Sequence, residues 1–373
     1  MNKIYLDNNA TTQVDHRLFD LFIKHTFTTF GNPSSIHGFG QEAKAQLIKA
    51  RDDIAAIIGA KSQEIIFTAT ATEALNMLLV GFFGPKPAGH LITSSVEHAA
   101  VFACAEYLKA HGVDVTYLDV GLFGAPSPEQ LKAAIRPDTR LICLMAANNE
   151  TGVLTDMQAM SEVAKEHGIP LVVDCVALFG KEPFSLHPGI SAACFSGHKF
   201  YAPKGAAFAF VRKGFKVQPH LIGGHQEHGM RAGTENLAAI VTMAKGAAYV
   251  TDELALYKEP MRALRDYFEQ EVMRKFPKAT VNGLGPRVAN TSNICFQDID
   301  GEALLMYLDL HGIAASLGSA CSSGAIEPSR VLVNMGLSRK QALSSIRFSL
   351  SRYTTKDEID RTIQVLSLVL SSF

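Results

Sequence analysis

The chain has 373 residues, 47% of them hydrophobic, and a formal net charge of −1 at pH 7. Such a length accommodates two domains of roughly 100–200 residues, and the near-neutral balance gives no electrostatic basis for nucleic acid or an anionic membrane as a partner. No apolar run is long enough to span a bilayer. The opening residues Met1 to Asp7 lack the basic start, apolar stretch and cleavage site of a signal peptide, so a cytoplasmic location is expected. Six cysteines (Cys104, Cys143, Cys175, Cys194, Cys295, Cys321) show no CxxC or metal-type spacing. Four lie in or beside apolar runs where a thiol packs as a small hydrophobe, so reduced thiols and no structural metal are expected.

From about residue 40 to 250, apolar runs of strand length alternate with segments of helical period. The runs include Glu64 to Thr68, Leu91 to Ser94, Leu141 to Ala146, Pro170 to Val173 and a pair flanking Lys199. This alternation predicts an α/β fold with a mostly parallel sheet covered by helices on both faces. Ligands of such sheets bind beyond the carboxyl ends of the strands. His98, Asn148, Asn149, Glu150 and Asp174 all follow predicted strands, and one pocket is expected to collect them. Thr70-Ala71-Thr72-Glu73 reads as a capping box ahead of the apolar helix Ala74 to Phe83, with Thr70 as N-cap and Glu73 at N3. The same helix end leaves backbone N–H groups at Ala71 and Thr72 for a phosphate. A glycine-rich stretch from Gly223 to Asn236 precedes one long helical pattern reaching about Phe276, and a smaller unit runs from Thr280 to the end.

Lys199, in Phe195-Ser196-Gly197-His198-Lys199-Phe200, stands between two apolar strands. An amine desolvated there loses its proton more readily and can form a Schiff base with an aldehyde such as pyridoxal phosphate, with Ser196, Gly197 and His198 as phosphate donors. Taken alone, the same motif reads as a solvated loop lysine. Asp174, at the end of an apolar strand, needs a partner for its charge: a protonated pyridine nitrogen or a neighbouring loop. His98 is placed to stack on such a ring or move a proton, or to sit as a satisfied, partly buried histidine. Cys321 lies among small residues and glycines, Gly318-Ser319-Ala320-Cys321-Ser322-Ser323-Gly324, which leave it exposed and its backbone free to move, a setting for a reactive thiol. Arg347 alternates with Ile346 and Phe348 and so points to the opposite face of its strand, free to clamp a carboxylate or to form a salt bridge within its own unit.

Together these segments resemble the NifS/IscS-like cysteine desulfurases, pyridoxal-phosphate enzymes of fold type I within the class V aminotransferases. The resemblance covers nearly the whole chain. It is carried by Tyr5-Leu6-Asp7-Asn8-Asn9-Ala10-Thr11-Thr12, Gly31-Asn32-Pro33-Ser34-Ser35-Ile36-His37, Ala71-Thr72-Glu73-Ala74, Val96-Glu97-His98, Asn148-Asn149-Glu150-Thr151-Gly152 and Ser196-Gly197-His198-Lys199. It continues in Arg231-Ala232-Gly233-Thr234-Glu235-Asn236, Gly318-Ser319-Ala320-Cys321, Glu327-Pro328-Ser329 and Arg347-Phe348-Ser349.

The resemblance implies a large domain, residues 15–255, built on a seven-stranded sheet. It also implies a small α+β domain, residues 1–14 and 256–373, carrying a mobile cysteine loop at about 316–328. Lys199 then carries the cofactor as a Schiff base, Asp174 pairs with its ring nitrogen and His98 stacks on the ring. Ala71, Thr72, Ser196 and His198 hold the phosphate, and Thr234 reaches the phosphate of the partner subunit in a homodimer. Arg347, Asn149 and Asn32 are assigned to substrate, and Asn149 also lies near the cofactor's ring hydroxyl. The activity implied is conversion of L-cysteine to L-alanine with sulfur left as a persulfide on Cys321, for a sulfur acceptor such as an iron–sulfur scaffold. Alternatives are a selenocysteine lyase or other β-elimination enzyme, or a weakened relative acting as a sulfur-carrier partner. The chain departs from the family pattern at Ala177, where a glutamine is usual, and at Thr70, His228, Ser351 and Val172.

Overall fold

The computed structural model describes residues 3–318 and 327–370. A short strand β1 (Ile4–Tyr5) precedes helices α1 (Phe19–Phe27) and α2 (Gly38–Ile58). Strands and helices then alternate: β2 (Ile65–Thr68), α3 (Ala71–Phe83), β3 (Gly89–Ser94), α4 (Ala99–Ala110), β4 (Val113–Leu118), α5 (Pro128–Ala134), β5 (Thr139–Met145), α6 (Met157–Glu166) and β6 (Leu171–Asp174). Two strands, β7 (Ile190–Ser196) and β8 (Ala207–Val211), lead to α7 (Leu237–Asp252) and α8 (Leu254–Lys275). The rest comprises β9 (Ala279–Val281), β10 (Thr291–Phe296), α9 (Gly301–Leu310), β11 (Ile313–Ala314), α10 (Arg330–Asn334), α11 (Arg339–Leu343), β12 (Ser345–Ser349) and α12 (Lys356–Leu370).

Strands β2 to β8 form a seven-stranded sheet in the order β2-β8-β7-β6-β5-β3-β4. Only β8 runs against its neighbours, and the remaining pairings are parallel, as the alternation predicted. Side chains along each strand alternate between two apolar layers. Leu144, Val173, Phe195 and Phe208 pack on one face with residues of α2 and α7, and Cys143, Val172, Cys194 and Ala209 pack on the other with α3 and α4. A sheet buried on both sides is what near-continuous apolar strands require.

Two sequence expectations are corrected here. Strand β2 begins at Ile65, because Glu64 ends a preceding turn in which its carboxylate accepts from the N–H groups of Lys61 and Lys213. Helix α3 begins at Ala71, directly after its expected N-cap Thr70. The long pattern reaching Phe276 is two helices broken at Glu253, because α7 packs on the first core while Tyr257, Met261, Phe268 and Val272 of α8 join a second one.

That second core collects Ile4, Leu6, Ile294, Phe348 and Ile363 around the antiparallel strands β9, β10 and β12. Strand β1 pairs in parallel with β11, which returns the start of the chain to its C-terminal part. No helix among the described residues is long and apolar enough to cross a membrane.

Candidate active site

The alternation that builds the two layers also gathers the polar residues. Val172 and Cys194 face α3 and α4, so two residues further along each strand Asp174 and Ser196 face the same way. There the apolar cover ends, at the N-terminus of α3, and a cavity of ≈ 210 Å³ opens. Ala71, Thr72, His98, Asn149, Asp174, Ser196, His198 and Lys199 all line it.

Lys199 ends a tight turn, Gly197–Lys199, directly after β7. A Cβ on Gly197 would lie 2.9 Å from the Ala206 carbonyl and against the Met243 side chain, so only glycine allows this close approach. The next turn is strained, with Tyr201 in the left-handed region at φ 66. It is held by Thr12, whose Oγ1 donates to the His198 carbonyl and accepts from the Tyr201 N–H. The Lys199 amine donates to the carbonyls of Asn9 at 2.6 Å and Ala10 at 2.8 Å. Burial, then the charge of Arg347, lowers its pKa to about 8 against the opposing charges of Asp7 and Asp174. A lysine in this state supplies a neutral amine close to neutral pH.

Asp174 is buried, and its recorded contacts are the Val176 N–H at 2.9 Å and the Cys194 thiol at 3.7 Å, both on Oδ1. Burial raises its pKa, while the charges of His98 and Lys199 and these two donors oppose the rise. No cationic side chain is bonded to it among the described residues, so a protonated ring nitrogen fits a place the protein leaves open. His98 N-caps α4 through Nδ1, which accepts from the Ala100 N–H at 3.1 Å and so leaves the ring proton on Nε2. Desolvation lowers its pKa, which favours the neutral ring.

At the end of α3, Thr70 Oγ1 accepts from the Glu73 N–H at 3.1 Å, as a cap should. The reciprocal half of the expected capping box is different. Glu73 reaches past Thr70 to the Ala69 N–H and pairs with Arg231 at 2.7 Å, because that guanidinium draws the carboxylate to itself. The N–H groups of Ala71 and Thr72 stay at the open helix end, where an anion is favoured. His198, its pKa pushed down to about 4 by burial and by Lys199, Lys204 and Lys181, shares a hydrogen bond with Thr11 Oγ1 at 3.1 Å.

Arg347 is buried and stands on β12 with its neighbours Ile346 and Phe348 turned into the second core. Its Nη1 donates to the Asn149 carbonyl at 3.0 Å and its Nη2 to Asp7 at 2.8 Å, and its Nε has no partner. The Asn149 carbonyl also accepts from Asn9 Nδ2. Asn149 is therefore held from both the N-terminal segment and the small sheet.

Not every expected residue joins this cavity. Asn148 is buried beneath the turn, its Oδ1 accepting from the Glu150 and Thr151 N–H groups. Glu150 turns away to accept from Ser329 Oγ. Thr234 and Asn32 line a separate groove together with Phe30. Cys321 lies outside the described residues. Sequence reading missed Lys181, which lines the cavity, donates to the Lys199 carbonyl at 3.0 Å and has its pKa lowered by burial to about 7. It also missed Asn9, and Glu97, whose buried carboxyl is pushed up to about 8 by burial. Asn9 and Glu97 stand inside motifs that carry the resemblance, and a charged residue just after an apolar turn, as at Lys181, was the one further signal.

The Aminotransferase class-V family matches residues 4–362. A cysteine desulfurase from Nostoc sp. (strain PCC 7120) is 43% identical over 98% of this chain and 92% of its own length. The cysteine desulfurase NifS of Azotobacter vinelandii is 40% identical over 98% of this chain and 92% of its own. Among solved structures, a NifS-like protein superposes over the whole of both chains with a TM-score of 0.93 at 34% identity. With this fold, this cavity and these likenesses, the chain belongs to the class-V aminotransferase family, in the branch of the NifS and IscS cysteine desulfurases.

Proposed function

We propose that the cavity binds pyridoxal 5′-phosphate and that the protein converts L-cysteine to L-alanine, leaving the sulfur as a persulfide on Cys321. The observation that carries this reading is a half-buried lysine with a pKa of about 8 in one cavity with a buried aspartate that no cationic side chain among the described residues pairs. Lys199 would hold the cofactor's aldehyde carbon, Asp174 would accept from its ring nitrogen, and Ala71, Thr72, Ser196 and His198 would hold its phosphate. The bound cofactor supplies an electron sink for the negative charge that develops on the substrate carbon.

The chain's own groups divide the remaining work. Arg347 would take the substrate carboxylate through its guanidinium, whose Nε is unpartnered among the described residues and whose Nη groups otherwise hold the Asn149 carbonyl and Asp7. Lys199, as a neutral amine, would take the proton from the substrate Cα. His98 carries its proton on Nε2 and therefore acts as a donor rather than an acceptor. The Cys321 thiolate attacks the substrate sulfur; the new S–S bond forms as the carbon–sulfur bond breaks, and its electron pair passes to the organic product, which is protonated to alanine.

A homodimer belongs to the same proposal. Ile36 is 93% exposed, Ile222 90% and Phe27 74%, an unusual apolar display for a free surface. Thr234 and Asn32 share a groove apart from the cavity of their own chain, which supports a role toward a partner subunit. The division into units 15–255 and 1–14 with 256–373 is supported by the separate apolar cores. Among the described residues, five buried, unpaired cysteines support a reducing cytoplasmic setting. Transfer of the sulfur to an iron–sulfur scaffold follows the implied pathway.

Mass spectrometry of the peptide containing Cys321, after brief exposure of the cofactor-loaded protein to L-cysteine, tests the reading. One added sulfur atom is expected in the wild type and none in Lys199→Ala. Alanine formed without any sulfur on Cys321 would overturn the persulfide step.

A further inference from the structure

The turn leading into His98 is held by a helix from the far end of the chain. Arg330 opens α10, and its guanidinium fork spans residues 95–97. Its Nη1 donates to the Ser95 carbonyl at 2.7 Å and its Nη2 to the Glu97 carbonyl at 2.5 Å. Asn334, one turn on, donates to the Ser95 carbonyl at 2.7 Å, and Asn148 Nδ2 takes the Val96 carbonyl at 3.0 Å. All three carbonyls before His98 are thus satisfied by side chains, two of them through α10. The Arg330 guanidinium also lies 4.1 Å over the ring of Phe102, on the helix that His98 caps. One side chain therefore grips both the turn before His98 and the helix after it.

A planar fork bridging two carbonyls fixes their relative position, which a single ammonium does not. The charge matters as well. Burial lowers the His98 pKa, the Asp174 carboxylate opposes this, and Lys199 and Arg330 both push the same way as burial. The apolar cluster of Val96 with Val331, Leu332 and Met335 seats α10 against the turn and keeps the fork in register.

We propose that Arg330 is a positioning residue of the active site, acting through His98: it holds the imidazole in place beside the cofactor. This rests on the pyridoxal phosphate reading above.

The test is a double-mutant cycle on the cofactor-loaded protein, read by visible circular dichroism of the bound cofactor and by kcat and KM for alanine release. Arg330→Met in the otherwise wild-type protein is expected to alter the visible dichroism and to lower kcat roughly tenfold with little change in KM. Arg330→Lys should restore only a small part of either signal. In a His98→Ala background neither substitution should have any further effect. Asn334→Ala, which removes one donor and is milder for folding, should lower kcat about two- to threefold, again only when His98 is present. Equal effects in both backgrounds, or unchanged dichroism in Arg330→Met, would overturn the proposal. Wild-type cofactor content and alanine release report separately on the functional reading, so a failure of that reading is distinguishable from a failure of this one.

Discussion

Lys199 illustrates how surroundings decide what an amine can do. In water it would hold its proton to 10.5; burial and Arg347 bring it to about 8. The neutral, nucleophilic form therefore becomes the majority species above about pH 8. Stopped-flow absorbance of cofactor capture by the cofactor-free protein should show a rate that rises as pH increases through about 8 and then levels off, and Lys199→Ala should bind no visible chromophore covalently at any pH. A rate still climbing toward pH 10.5 would mean that the amine is not desolvated. Lys199, Asp174 and His98 were legible in the sequence because each is a polar residue placed after an apolar strand or turn. Lys181 carried only the weak signal of a charge after an apolar turn, because its importance comes from one contact with the Lys199 carbonyl across 18 residues.

At the scale of elements, the N-terminus of α3 serves two ends at once. Its cap, Thr70 to Glu73, was readable from residue types alone, and the structure keeps its first half. The second half was not readable, since the partner that draws Glu73 away is Arg231, 158 residues further on. Thr70→Ala removes the cap and should cost about 1 kcal/mol of stability, measured by denaturant unfolding of the cofactor-free protein. Because the same helix end is assigned to the phosphate, the cofactor dissociation constant should rise in parallel, whereas loss of stability with unaltered cofactor affinity would place the phosphate elsewhere. The strand pattern was legible for a similar reason: parallel strands buried on both faces must be apolar throughout. The break at Glu253 was hidden, because α7 and α8 are both helical and only their separate cores divide them.

Across the whole molecule, a partly buried ionic cluster joins parts of the chain that are far apart in sequence. Asp15 accepts from Arg17 and Arg352, and Glu253, between α7 and α8, pairs with the same two arginines. Burial alone would raise the Asp15 carboxyl; the hydrogen bonds of Arg17 and the charges of Arg352 and Arg17 outweigh it and bring it down from 3.8 to about 2. A carboxyl depressed by folding stabilises the native state above its ordinary pKa, and that stability is lost as pH falls toward the folded value. Asp15→Asn should therefore lower the melting temperature at neutral pH, with the gap to wild type closing between pH 3.8 and about 2; a gap independent of pH would remove the charge from the explanation. Contacts of this span, 337 residues for Asp15 with Arg352, are set by the fold and leave no trace in local sequence. The same holds for Arg347, which reads from sequence as a strand residue but meets Asn149 and Asp7 only after three segments converge. The most direct test of the whole account is the amount of alanine formed from L-cysteine by purified protein supplied with pyridoxal phosphate. The account predicts catalytic release that disappears in Lys199→Ala; protein that binds no cofactor and forms no alanine would contradict it.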